Sequence, residues 1–166
     1  MAQAHPKMAL RPLLPTDVPV LREIFRAAVA DLTGDDYTEA QQEAWAASLD
    51  DEVAFAKRLG QQLTLIATLE GSAVGFASLV GEDKIDMLYV HPAVAGQGVG
   101  AMLVDALEKL AGNRGAAKLT VDASDTALPF FQKRGYVAQQ RNSISVGGEW
   151  LANTTMQKQL APGTMQ

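Results

Sequence analysis

The 166-residue chain contains no cysteine. This excludes disulfides, thiolate metal sites and a cysteine nucleophile, so no acyl group can be carried on the protein as a thioester. Histidine is nearly as scarce, with only His5 and His91. Two such residues cannot assemble a His-rich cluster, no metal is expected, and a serine triad would have to use a tail residue or a histidine beside a proline. No apolar run reaches the ~18 residues of a membrane-spanning helix. The opening Met-Ala-Gln-Ala-His-Pro-Lys also lacks the apolar core of a leader, so a cytoplasmic protein with no membrane partner is expected. Basic residues are in deficit, 14 Lys and Arg against 19 Asp and Glu, for a net charge of -5. Nucleic acid is therefore not an expected partner.

What is present reads as one globular domain over residues 1–166, since 48% of residues are hydrophobic and 20% charged. An ordered core is expected over about 8–159, with 1–6 and 161–166 as loose ends. A short apolar strand before Pro12 leads into a helix running from Thr16-Asp17 to about Leu32, on which Val18, Leu21, Ile24, Phe25 and Ala28 recur at helical spacing. Helices are expected over about 38–48 and 51–59, then strands over 63–69 and 73–80 around Glu70-Gly71-Ser72. A strand over 84–90 precedes a helix with Val99, Met102, Leu103, Ala106, Leu107 and Leu110 on one face. The strand at 118–123 then completes a right-handed crossover, so these two strands should be parallel. A helix over about 126–134 and strands over 136–143 and 149–158, turned by Gly147-Gly148, close the chain. The class is α/β in the α+β sense, a mostly antiparallel mixed sheet of six to seven strands with one central parallel pair and about four helices.

The segment with the most chemical content is the turn between the strand at 84–90 and its following helix. There Gly96, Gly98 and Gly100 remove three side chains, so that backbone N–H groups can converge on an anion at the positive end of the helix. A Walker loop would need Lys-Ser or Lys-Thr after the last glycine, where the chain has Ala101-Met102. A dinucleotide fingerprint needs Gly-x-Gly-x-x-Gly after the first strand of a Rossmann unit, and both spacing and context differ.

The Val90-His-Pro-x-x-x-Gly-Gln-Gly-Val-Gly100 turn within this element order resembles the GNAT superfamily of acyl-coenzyme-A-dependent N-acetyltransferases. Leu10-Arg11-Pro12 with Asp17, Ala73-Val74-Gly75-Phe76, and Ala127-Leu-Pro-Phe-Phe-Gln-Lys-Arg-Gly-Tyr136 extend the resemblance over nearly the whole chain. It implies the GNAT-like fold, with acetyl-CoA as cosubstrate. The pyrophosphate would rest on the amides of Gly96, Gln97, Gly98, Val99, Gly100 and Ala101. The pantetheine arm would lie along Leu88, Tyr89 and Val90. Ser124 stands where the family commonly has a coenzyme-contacting Asn. Two positions depart from the pattern: Ala95 replaces the usual Gln or Arg that opens the turn, and Phe131 replaces the Tyr that often protonates the thiolate, keeping only its packing role against the coenzyme.

Without cysteine, transfer should be direct within a ternary complex, the amine attacking the thioester. A primary amine of pKa ~10.4 must lose a proton, and Asp86 is the first choice of base, placed by simple strand alternation on one face with Leu88 and Val90. Tyr89 and Tyr136 are the candidates for acid. Acceptor recognition is expected around Tyr37 and Trp45, where Asp31, Asp35, Asp36, Glu39 and Glu43 would steer an ammonium toward aromatic faces. The expected partner is a small-molecule or peptide amine, and the exposed edges of the last strands would suit a homodimer. The alternative is a non-catalytic acyl-CoA-binding regulatory or partner-binding module that keeps the fold without turnover.

Overall fold

A computed structural model describes residues 7–160. The expected loose ends, 1–6 and 161–166, and His5 with them, lie outside the described residues. The elements are β1 (Met8–Pro12), α1 (Val18–Leu32), α2 (Glu39–Ala47), α3 (Glu52–Gly60), β2 (Leu63–Leu69), β3 (Ser72–Val80) and β4 (Lys84–Val90), then α4 (Val99–Asn113), β5 (Lys118–Ser124), α5 (Leu128–Lys133), β6 (Val137–Val146) and β7 (Glu149–Gln159). The five helices, against about four expected, all fall on segments read as helical from the sequence. Short 3-10 turns at Pro15–Asp17 and Pro92–Val94 precede α1 and α4.

Local chemistry accounts for the helix starts. Thr38 and Gln41 form a capping box at α2, each side chain accepting from the other's backbone N–H, at 3.1 and 2.8 Å. Asp51 accepts from the Ala54 N–H at 3.0 Å at α3. Asp17 does not cap α1 through its side chain. Its buried carboxylate instead takes two bonds of 2.7 Å from Arg11 and one of 2.7 Å from the Leu14 N–H, which fixes the corner between β1 and α1. Arg11 thereby holds this carboxyl below its usual range.

The seven strands form one sheet in the order β1-β2-β3-β4-β5-β7-β6. Every pair is antiparallel except β4 with β5. One face packs on α4, where Val99, Leu103 and Leu107 meet Ala77, Leu79 and Ile85. The other carries α1 and α3, whose Leu21, Phe25, Phe55 and Leu59 meet Ile66, Phe76 and Met87. Gly75 lets α4 close on β3, since a Cβ there would lie 3.0 Å from a Val99 methyl and 3.2 Å from the Tyr89 carbonyl.

Two irregularities in β4 place the site. Ser78 pairs with Met87 and Leu79 with Ile85, so Asp86 is an extra residue with no partner on β3, a β-bulge. The bulge corrects the alternation expected from sequence. Ile85, Leu88 and Val90 pack with the α4 layer, whereas Met87 and Tyr89 pack with the α1 layer and Asp86 points to α3. The second irregularity is that β4 and β5 share only two register positions, Lys84 with Thr120 and Ile85 with Val121. Beyond these the two strands part.

Candidate active site

Where β4 and β5 separate, the inner edges of both strands border a cavity of about 860 Å³. Its wall includes residues 85–90 on one side and 121–124 on the other. Parallel strands that have parted leave N–H and C=O groups facing each other without a ladder, which is a docking edge for an extended chain bearing amides.

One end of the cavity is the glycine turn. Gly98 precedes α4 with φ of +88°, a left-handed conformation that a side chain would strain. The first intrahelical bond runs from the Met102 N–H to the Gly98 carbonyl at 3.0 Å, so the N–H groups of Val99, Gly100 and Ala101 have no partner within the helix. Gly96, Gly98, Val99, Gly100 and Ala101 all border the cavity, as does Ala95. Gln97 does not, and its N–H is given to the Val94 carbonyl at 3.2 Å. His91 accepts from the Ala93 N–H at 3.0 Å through Nδ1 and serves the turn that leads into the loop.

In the β4 wall of the cavity, Asp86 accepts from Arg58 Nε and from Gln62 Nε2, each at 2.8 Å. Burial alone would raise its pKa. The two hydrogen bonds and the guanidinium charge outweigh burial, so the carboxyl is held below its usual range. Tyr89 accepts from Trp45 Nε1 at 3.3 Å, and its own O–H has no acceptor among the described residues. Burial pushes this phenol up to about 12, against a smaller lowering by the Trp45 bond, so it is a neutral donor at physiological pH. Leu88 and Val90 line the same stretch, and Phe131 and Ser124 face it from the α5 side. Ser124 Oγ accepts from the Ala127 N–H at 3.1 Å, which leaves its proton free to be donated. Phe131 is buried between Phe130 and Tyr136, with ring centroids 5.1 and 5.0 Å away.

Tyr136 has a different task from the one expected. It lies outside the cavity wall, and its hydroxyl donates to Glu108 Oε2 at 2.9 Å. Burial first, and the Glu108 carboxylate second, raise this phenol far above its ordinary value. Glu108 occupies its polar end, and Lys158 Nζ bonds the other Glu108 oxygen at 2.9 Å and sits over the Tyr136 ring.

Tyr37 and Trp45 also line the cavity, stacked edge-on at 5.3 Å. The Tyr37 hydroxyl donates to the Ala152 carbonyl at 2.6 Å and accepts from the Asp125 N–H at 2.9 Å. Gln41 Nε2 donates to the Trp150 carbonyl at 2.7 Å. The corner between α1 and α2 is thus strapped to β7 and to the turn after β5. The acidic residues expected to surround the acceptor are not in the wall. Asp31, Asp35, Asp36, Glu39 and Glu43 are all exposed, and Asp36 is engaged by the Thr126 hydroxyl at 2.8 Å. Arg58 from α3 and Ile144, Leu151 and Asn153 from β6 and β7 are wall residues that sequence reasoning did not find. Alternation marks Leu151 as inward-facing, but nothing local indicates that its strand returns to this cavity.

Comparison with known proteins is consistent with this geometry. The family model for the acetyltransferase (GNAT) domain matches residues 33–160. The uncharacterized N-acetyltransferase YafP of Escherichia coli is 33% identical over 147 residues, spanning 89% of this chain and 93% of its own. A crystal structure from Rhodopseudomonas palustris, described as a GCN5-related N-acetyltransferase and as a class-II aminotransferase, is 64% identical with a TM-score of 0.91, over 96% of this chain and 99% of that one. The PaiA N-acetyltransferase of Thermoplasma acidophilum, solved with coenzyme A, shares the fold at 18% identity and a TM-score of 0.76, over 92% and 99% of the two chains.

Proposed function

This chain belongs to the GNAT acetyltransferase family, and we propose that it transfers an acetyl group from acetyl-CoA directly to a primary amine. The observation that carries this reading is the continuity of one cavity from the amides of Val99, Gly100 and Ala101, which have no partner among the described residues, along the parted edges of β4 and β5, to Asp86 and Tyr89. Those amides suit a pyrophosphate, and the strand edges suit the amide groups of a pantetheine arm. Ser124 and Phe131 contribute one donor and one apolar contact to the same arm.

The amine attacks the thioester carbonyl, forming the C–N bond as the C–S bond breaks. The proton that the nitrogen sheds goes to Asp86 and from there to solvent, and the departing sulfur takes one from Tyr89, the phenolate regaining its proton from solvent. Asp86 is a weak base because Arg58 holds it. The nitrogen becomes far more acidic as it acylates, and the carboxylate needs to act only then. A coenzyme thiol has a pKa near that of cysteine, ~8.5, so it leaves with little assistance. Among the described residues no lysine borders the cavity, which disfavours Schiff-base transamination.

The alternative, a non-catalytic acyl-CoA-binding module, is favoured by Phe131 standing where the family often has an acid. The test is calorimetric titration with acetyl-CoA, with reduced nicotinamide dinucleotide as control, followed by thiol release in the presence of amines. Selective binding with amine-dependent thiol release supports transfer. Selective binding without release from any amine supports the alternative, and no binding at millimolar ligand removes both.

A further inference from the structure

The acceptor half of the cavity has a composition that narrows the amine. Its wall is built from Phe25, Val29, Leu32, Trp45, Leu49 and Ile144, together with apolar positions of β7. The hydroxyls of three of its residues are already engaged: Thr33 Oγ1 donates to the Val29 carbonyl at 2.6 Å, Ser48 Oγ to the Trp45 carbonyl at 2.6 Å, and the Tyr37 hydroxyl both donates and accepts. Three charged side chains border the whole cavity, Arg58, Asp86 and Asp122. Arg58 and Asp86 pair at 2.8 Å, and Asp122 pairs with Lys84 at 3.1 Å and accepts from the Thr155 hydroxyl at 2.6 Å. Among the described residues the wall therefore holds no uncompensated negative charge.

From this we infer that the acceptor is a small monoamine carried on an apolar or aromatic body, and not a polyamine or aminoglycoside. The inference rests on the acetyl-transfer reading and narrows its substrate class. A single ammonium has a place at the paired Asp86 carboxylate and the Tyr89 hydroxyl. A second or third ammonium would be stripped of water with no partner, which is costly. A hydrocarbon or ring gains by leaving water for the Phe25 and Trp45 side of the cavity. Size points the same way, because about 860 Å³ must hold both the acyl-pantetheine end and the acceptor. The hairpin between β6 and β7 packs tightly on α2, where a Gly147 Cβ would lie 3.2 Å from the Ala44 methyl.

The experiment compares 2-phenylethylamine with spermidine in two readouts on the full chain. Thiol release from acetyl-CoA gives kcat/KM. Fluorescence of Trp45 with coenzyme A present gives binding, in a Trp150→Phe background that removes the second, exposed tryptophan. We expect saturable perturbation of Trp45 by 2-phenylethylamine alone and a kcat/KM at least tenfold above that for spermidine. Ile144→Asp, at a side chain 43% exposed and so tolerant of charge, should raise KM for 2-phenylethylamine several-fold with little change in kcat. Equal or better turnover of spermidine overturns the inference while leaving acetyl transfer intact. So does an absence of any effect of 2-phenylethylamine on Trp45 when acetyl-CoA binds. Trp45 binding of 2-phenylethylamine in a protein that ignores acetyl-CoA would support the apolar amine site and overturn the transfer reading instead.

Discussion

Arg58 holds the Asp86 carboxylate at 2.8 Å, from the last turn of α3 to the bulge of β4. Both residues border the cavity, so the pair sets the charge of the proposed acceptor site and the reach of its candidate base. Because the folded-state pKa of Asp86 is lowered, its stabilising contribution is fully present above the unfolded value, about 3.9, and is lost as pH falls through the folded one. Arg58 is 42% exposed and Asp86 21%, so screening limits the pair to about 1 kcal/mol. Arg58→Ala should lower stability by about that amount at pH 7 and move the acid-unfolding midpoint to higher pH, as read by circular dichroism. The two proteins should converge in stability at the acid end.

Tyr89→Phe keeps the ring, which packs on Phe25 at 4.7 Å and Phe76 at 5.6 Å, and removes only the hydroxyl. The expected loss is about a hundredfold in kcat, at the low end for a general acid because the thiolate leaves well. The KM for acetyl-CoA should stay within a factor of two or so. With a pKa of about 12, this phenol should contribute no alkaline fall in the wild-type rate between pH 7 and 10. A steep fall there that vanishes in Tyr89→Phe would contradict the assignment.

Tyr136→Phe separates a structural tyrosine from a catalytic one. Losing the bond to Glu108 should cost about 1 kcal/mol in urea denaturation, with kcat unchanged. A tenfold drop in kcat at unaltered stability would restore Tyr136 as an acid.

Gly98→Ala and Gly112→Ala form a matched pair, since a Cβ at either position meets nothing within 4 Å. Gly98 has φ of +88°, so alanine strains the turn by about 1–2 kcal/mol and tilts the amides beyond it. Acetyl-CoA binding should weaken about tenfold by calorimetry. Gly112 lies in the last turn of α4, and alanine there should stabilise the protein by about 0.5 kcal/mol with affinity unchanged.

Much of the scaffold was legible in the sequence because each element carries a strong local signal. The face with Leu103 and Leu107 marks α4, and Gly147-Gly148 marks the last hairpin. The glycine turn ahead of α4 was legible for the same reason, though not that the Gln97 N–H is spent within it. What local pattern could not reveal is relational. The bulge at Asp86 is a mismatch between two strands, so period-two reading of β4 alone assigned Asp86 to the face of Leu88 and Val90. The acidic residues near Tyr37 are close to it in sequence, yet helix and corner geometry turns them to solvent. Arg58 and Leu151 reach the cavity from distant segments, and only the assembled sheet brings them there.

The bonds that strap the corner between α1 and α2 across the cavity, from Tyr37 and Gln41, end on main-chain groups of Ala152, Asp125 and Trp150. Every residue type can offer those same groups, save that proline at 125 would remove the N–H. The side chain at 152, which lines the cavity, can therefore be exchanged while the strap keeps its anchors. Frame and lining are separable here, and a new acceptor preference could be drawn from a few substitutions on β7 without rebuilding the domain around them.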